Sequence, residues 1–331
     1  MRGEKTKSMK NAARDLFVRY DPGLFEEAVF LAVGRHAEAK RFHKERSPLY
    51  GITSAEEREH AFQNFHRAWF FRLGLSEQIE KALAEQPLLS SSVQSCLVAR
   101  APGKGEEGAE LFVNSDQRLN EKERRTISIF LRPESFLDPL ALLALLRHEL
   151  LHIADMLDPS FGYEPVLPGA GAGPTHDRLQ KERYRVLWDA IIDGRMVRRG
   201  WAPESLRAER LSEFGRVFPM FGEESKNLFS RFFDREAHTH AELVAFVLDP
   251  KSFDEALRSP QPGGRCPLCG FPTYVFEHKP EELPAEALAQ ITQDFPRWHP
   301  SDGLCIQCAD LYRACQNSAK AARCLPGSDL V

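Results

Sequence analysis

The sequence predicts an α+β fold that is mainly helical, with a small sheet packed on one long apolar helix and a small cysteine-rich module near the C-terminal end. Three observations predict it. Helical apolar spacing and capping signals recur over residues 1–88 and again from 138 to 258. Short β-branched and aromatic runs cluster between 89 and 133. Two C-x-x-C pairs follow the Pro/Gly-rich stretch 260–264, PQPGG. The 331 residues therefore divide into a helical N-terminal region (1–88), a central core (89–258) and a C-terminal module (265–325).

In the N-terminal region, Asp21-Pro22-Gly23 precedes an apolar-periodic run over 24–39, and Thr53-Ser54-Ala55-Glu56 opens a second helix with Ser54 or Thr53 as cap. Phe62, Phe65, Trp69, Phe70 and Phe71 give that helix a broad aromatic face, read as helix–helix core. Segments 95–101 (SCLVARA), 109–113 (AELFV) and 125–132 (RTISIFLR) predict strands. Asp138-Pro139 then starts a helix, the aspartate as cap and the proline at the first position. Its sequence, LALLALLRHELLHIADML, carries leucine on almost every side, which predicts a buried central helix ending at Asp158-Pro159. A Gly/Pro-rich loop (159–175) leads to a second long helix over 176–199, closed by Gly200. Thr239-x-x-Glu242 predicts a capping box for HAELVAFVL.

Composition excludes several classes. A chain 42% hydrophobic and 28% charged is ordinary for a soluble globular protein. A formal charge of −4 gives no overall positive field for nucleic acid or an anionic membrane. The start, MRGEKTKSMKNAARDLF, is basic but lacks the apolar core of a signal peptide. No apolar run approaches the ~18–20 residues that span a bilayer. A cytoplasmic location is the expectation, and the odd count of 7 cysteines argues against a disulfide framework.

The central helix holds the pentad His148-Glu149-Leu150-Leu151-His152. Residues four apart share a helix face, so His148 and His152 are placed to grip one ion, with Glu149 beside the first. Without partners, two histidines and a glutamate on a buried leucine-rich helix are costly. Four apart on the second helix stand Asp189 and Asp193, embedded in an apolar stripe where a carboxylate needs a strong partner. A metal is one such partner; Arg147, Arg185 or Arg195 is the alternative. Asp155, about 10 Å along the axis from His148, is too far to share its ion and is read as orienting an imidazole or pairing with an arginine.

Residues 125–200 resemble the zincin metallopeptidases in their order: an edge strand that pairs with extended substrate, then an H-E-x-x-H helix, then a helix bearing acids. The chain as a whole resembles a bacterial zincin-like family. The resemblance implies zinc on His148 and His152, with Glu149 as general base to a water activated by the metal. It further implies that one acid of the second helix is the third ligand while the other holds a first-helix histidine. Asp193 is favoured as that ligand, with Asp189 second. Asp158 sits ten residues after His148, where metzincins place a ligand, but the glycine that breaks the helix in those families is Asp155 here. His176 is an outside candidate. Tyr163, Tyr184, His238 and His240 are candidates for stabilising the oxyanion, although His238 and His240 flank a helix cap and read as structural or exposed.

Cys266-Pro-Leu-Cys269-Gly270 reads as a zinc knuckle and Cys305-Ile-Gln-Cys308 as a second pair before a helix, together resembling a treble-clef or zinc-ribbon module. Four thiolates close a tetrahedral site, so this zinc is expected to be structural. The intervening stretch 277–298 is expected to loop out between the knuckles. Cys96 is expected in the core, and Cys315 and Cys324 as spare thiols. The acidic insertion argues against nucleic acid, which leaves a protein-docking or a purely stabilising role for this module. The function that follows is a zinc-dependent hydrolase, a metallopeptidase acting on a peptide or protein, with one catalytic and one structural zinc. Two alternatives stand beside it: an inactive zincin-like adaptor that docks a protein through the module, and a regulatory or nucleic-acid adaptor in which the cysteines hold the only metal.

Overall fold

The structure is a computed structural model that describes residues 17–168, 173–253, 263–296 and 298–323. The chain divides into two compact units, one of Met1–Val217 and Phe229–Leu243, the other of Phe218–Leu228 and Val244–Val331. The expected α+β class holds at the level of a mainly helical chain with one small sheet.

The first unit is built on a four-stranded sheet of order β1-β2-β4-β3, with β1 at Val18–Tyr20, β2 at Ser95–Arg100, β3 at Gly108–Val113 and β4 at Arg125–Leu131. β1, β2 and β4 run parallel, and β3 is antiparallel to β4. Strand β1 corrects the expectation of an all-helical stretch to residue 88. Its alternation, Val18-Arg19-Tyr20, is only three residues long and becomes a strand by pairing with Cys96, Leu97 and Val98. The strand nearest the pentad helix in sequence, β4, is central rather than an edge. Among the described residues the edges are β1 and β3, and β3 is the one that the pentad helix packs along.

Helices α1 (Pro22–Val33), α2 (Ala39–Arg46), α3 (Ala55–Arg72), α4 (Glu77–Ala84) and α5 (Pro87–Ser92) precede β2, and the short α6 (Glu121–Arg124) leads into β4. Ser54 caps α3 through Oγ on Glu57 N at 3.3 Å. One core runs from Leu24 and Phe25 through Trp69, Phe70, Val98, Ile127 and Ile129 to Leu150 and Leu157, so the expected boundary at 88/89 passes through continuous packing. The aromatic face of α3 lies in that core as expected. His66 sits among its rings, with centroids 5.3 Å from Phe30 and 5.5 Å from Phe65.

The pentad helix, α7, spans Pro139–Leu157 and is capped by Asp138 Oδ1 on Ala141 N at 3.0 Å. It packs along β3, α4 and α5. The second long helix, α8, spans Pro174–Arg198 and packs on α7 and on α9 (Leu206–Val217). Gly200 ends it in the left-handed region, φ +66°, where a Cβ is strained. Gly194 has a different reason to be glycine. A Cβ there would fall 2.0 Å from the carbonyl oxygen of Phe233, at the end of α10 (Ser225–Phe233). The expected Thr239/Glu242 capping box starts α11 (His240–Leu248), with reciprocal bonds of 3.0 and 3.2 Å.

The second unit holds the cysteine module. Its small core joins Cys266, Leu283, Ile291, Trp298, Leu304 and Ala309. The expectation that 277–298 loops out is corrected: Ala285–Asp294 forms α12, which packs on α13 (Ile306–Arg323). Leu283, Ala287 and Ile291, spaced by four, make the buried face. Cys96 is fully buried in the first unit's core, and burial pushes its thiol up to about 12. Cys324 lies outside the described residues, as does the side chain of Cys315. No helix among the described residues is long and apolar enough to cross a membrane.

Candidate metal centre

One turn apart on α7, His148 and His152 turn their Nε2 atoms toward each other, 3.2 Å apart. Asp189 Oδ1, from α8, lies 3.3 Å from His152 Nε2 and 3.8 Å from His148 Nε2. Donors bound tetrahedrally at about 2.0–2.1 Å stand about 3.3 Å apart. The three atoms are thus spaced as ligands of one such ion. Two imidazoles and a carboxylate suit zinc and other imidazole-binding divalent metals.

Asp193 is elsewhere. Its Oδ1 meets His148 Nδ1 at 2.9 Å, on the far side of the ring. With that proton donated to Asp193, the Nε2 lone pair faces the ion site. The sequence order of preference, Asp193 before Asp189, is therefore reversed: Asp189 joins the donor set and Asp193 orients a donor. The helix spacing allowed either; the axial offset between α7 and α8 decides.

The electrostatics agree. Burial alone would depress His148, but its bonds to Asp189 and Asp193 outweigh that and raise its pKa to about 9. Burial opposes charge on Asp189, yet His148 and His152 hold its carboxyl well below the usual carboxylate range. A metal cation in place of the shared proton satisfies the same cluster.

A further layer holds the acids. Arg185 Nη1 donates to Asp189 Oδ2 at 2.8 Å, and Arg210 Nε donates to Asp193 Oδ2 at 2.5 Å. Glu213 joins both arginines, accepting from Arg185 Nη2 at 3.1 Å and from Arg210 Nη1. Arg185 was legible as a possible partner. Arg210 and Glu213 were not, because an Arg/Glu pair three apart on a solvent-facing helix is commonplace. Arg147 pairs with Glu85 instead, at 2.6 Å. Asp155 takes its arginine reading: it accepts from Arg195 Nη1 and Trp188 Nε1, both at 2.8 Å. The Trp188 ring stands edge-on to His152 at 4.5 Å.

Glu149 points to the sheet edge, its Oε2 accepting from Ala109 N at 3.2 Å. That bond shows which backbone groups of β3 face outward. Asn114 N bonds Arg124 O at 2.7 Å, so even-numbered residues pair with the neighbouring strand while Ala109, Leu111 and Val113 turn away from it. A Cβ on Gly108 would lie 3.1 Å from Glu149 Oε2, so a small residue suits this approach. The edge residues carry no mark in the sequence, because only the pairing partner distinguishes edge from centre.

The other candidates separate. Asp158 accepts from Ser160 N at 2.8 Å in the turn after α7, and His176 lies in the first turn of α8. Tyr184 OH lies 2.6 Å from His240 Nδ1, and His238 Nε2 meets Phe232 O at 3.0 Å. Both histidines are buried, which agrees with a structural reading and not with an exposed one. Tyr163 stacks on Trp188 with centroids 5.5 Å apart.

In the second unit, Cys266, Cys269, Cys305 and Cys308 bring their sulfurs within 4.8 Å of one another. The pairs Cys266–Cys308 and Cys269–Cys305 are each 3.9 Å apart. Thiolates around a tetrahedral zinc at about 2.3 Å stand about 3.8 Å apart. Gly270, at φ +72°, makes the turn that returns Gly270 N to Cys266 O at 2.8 Å. Cys305 N donates to Cys266 Sγ at 3.3 Å. Burial raises the Cys266 thiol, but backbone N–H groups of Cys269, Cys305 and Leu268 bring it down to about 7.

Among the described residues there are therefore two groups able to hold a metal ion, one of four cysteines and one of His148, His152 and Asp189. Compared with known proteins, it matches no protein-family model, no curated protein and no solved structure.

Proposed function

We propose that the chain is a zinc-dependent hydrolase, a metallopeptidase. The observation that carries this reading is the convergence of His148 Nε2 and His152 Nε2 of α7 with Asp189 Oδ1 of α8, 3.2–3.8 Å apart, while Glu149 of α7 reaches the sheet edge. A bound zinc would supply Lewis acidity to a scissile carbonyl. The chain's own residues do the rest. Asp193 fixes the His148 tautomer and ring. Leu111 and Val113 turn backbone groups away from β4 and offer them to an extended peptide, next to Ala109 N, which Glu149 holds. Glu149, beside that edge, takes a proton from the attacking water and delivers it to the departing amine.

The four-cysteine group is read as a structural zinc site, since four thiolates leave no open position.

Glu149→Gln tests the reading. Zinc per chain is expected to stay unchanged, while hydrolysis of an unfolded protein substrate falls roughly 10²–10⁴-fold. Unchanged hydrolysis in that variant, or no hydrolysis by the zinc-loaded natural chain, overturns it in favour of a binding protein.

A further inference from the structure

A cavity of about 640 Å³ opens beside His152 and Asp189, within the size range of small-ligand sites. Three aromatic rings wall it: Tyr163, Tyr184 and Trp188. Each is held in place. Asp155 accepts from Trp188 Nε1 at 2.8 Å and is gripped by Arg195. His240 Nδ1 lies 2.6 Å from the Tyr184 hydroxyl. Tyr163 stacks on Trp188 with planes 29° apart. Fixed aromatic walls favour a flat guest.

One polar group breaks the apolar lining from within. Gln180 is 4% exposed, lines the cavity, and its amide makes no hydrogen bond among the described residues. The Gln180 amide atoms are open to the cavity and can donate to or accept from a guest. At the rim, Lys181 faces Glu164 and Asp177 while Arg185 is held by Asp189, so charge gives no reason to prefer an anionic guest.

We propose that this cavity binds tyrosine, as the substrate residue next to the scissile bond, with Gln180 hydrogen-bonding the phenol hydroxyl. As a substrate pocket it rests on the hydrolase reading above. The aromatic walls take the ring. The Gln180 amide separates tyrosine from phenylalanine, because a site built around a hydroxyl leaves its own polar group unpaired when the hydroxyl is missing. An aliphatic side chain uses neither feature.

Binding is read apart from turnover on zinc-loaded Glu149→Gln protein, by NMR titration with N-acetyl-tyrosinamide, N-acetyl-phenylalaninamide and N-acetyl-leucinamide. Tyrosinamide is expected to bind roughly tenfold tighter than phenylalaninamide, the worth of one hydrogen bond. Gln180→Met should erase that difference while both aromatic amides still bind, and Gln180→Glu, which keeps an acceptor, should retain it. Equal binding of the two aromatic amides, tighter binding of leucinamide, or no binding overturns the proposal. A peptide mixture digested by the natural chain separates the two readings. Cleavage without preference for tyrosine sinks the pocket and leaves the hydrolase. No cleavage by a chain that still binds tyrosinamide sinks the hydrolase and leaves a tyrosine-binding site.

Discussion

Asp189 and Asp193 are the same residue type, one helical turn apart, and they meet opposite sides of the same imidazole cluster. Asp189 faces Nε2 of both histidines; Asp193 faces Nδ1 of His148. Their substitutions should therefore differ in kind. Asp189→Asn is expected to remove the metal from this site, as the double variant His148→Ala/His152→Ala would. Asp193→Asn is expected to keep it and lower its affinity roughly 10–100-fold. Zinc per chain, then competition with a chelator of known affinity, distinguishes the two. Metal loss in Asp193→Asn alone would restore Asp193 as the ligand. The sequence carried half of this. The His148/His152 spacing dictates a shared face, and a carboxylate amid Val186, Ala190 and Met196 calls for a partner. Which acid meets which nitrogen depends on how far α7 is slid along α8, and no residue of either helix encodes that locally.

At the scale of elements, helix α3 places a titratable ring where charge is costly. His66 lies among Phe30, Phe42, Phe62 and Phe65, and its Nε2 has no hydrogen-bond partner among the described residues. Burial, reinforced by the nearby Arg46, lowers its pKa to about 4. Below about pH 6.5 the unfolded chain takes up a proton here that the folded chain refuses. Stability should thus fall as pH drops from about 6.5 to about 4, by up to roughly tenfold in the folded/unfolded ratio per pH unit from this one group, and level off below. Urea unfolding of the natural chain and of His66→Phe across that range checks it. Equal slopes would mean that His66 is protonated in the fold. The same element showed its aromatic face plainly in sequence, because 3.6-residue spacing is local. Strand β1 did not, because three residues become a strand only by lying beside Cys96–Val98. The 277–298 stretch departs from expectation for another reason. Its Leu283, Ala287 and Ile291 carried a helical face, but the expectation followed knuckle spacing instead of that periodicity.

At the scale of the whole molecule, each unit has its own core and its own candidate metal group. The cluster around the cysteines is small, and Cys266, Cys305 and Cys308 are part of it. A cluster of that size is expected to need a metal on its four cysteines to fold. Cys266→Ser/Cys269→Ser is expected to lose one zinc per chain and to open residues 263–296 and 298–323 to hydrogen exchange, without that loss of protection in β2 and β4. Full protection of the module in this variant would mean that it folds without metal. The two C-x-x-C pairs announced this unit in sequence, since thiol spacing is a local feature. The assignment of 218–228 and 244–253 to the same unit was not legible, because it rests on contacts between segments far apart in the chain.

Gly194 stands between Asp193, which holds His148, and Arg195, which holds Asp155. Its missing side chain lets the main chain of α8 press against the Phe233 carbonyl. For sequence drift this makes position 194 a one-way gate. A lineage that places any side chain there must part α8 from the end of α10, and the residues on either side move with it. Among descendants of this chain, then, the residue at 194 is a cheap readout of history. Where it is still glycine, the His148–Asp193 arrangement can persist; where it has grown, that arrangement has had to be rebuilt or given up.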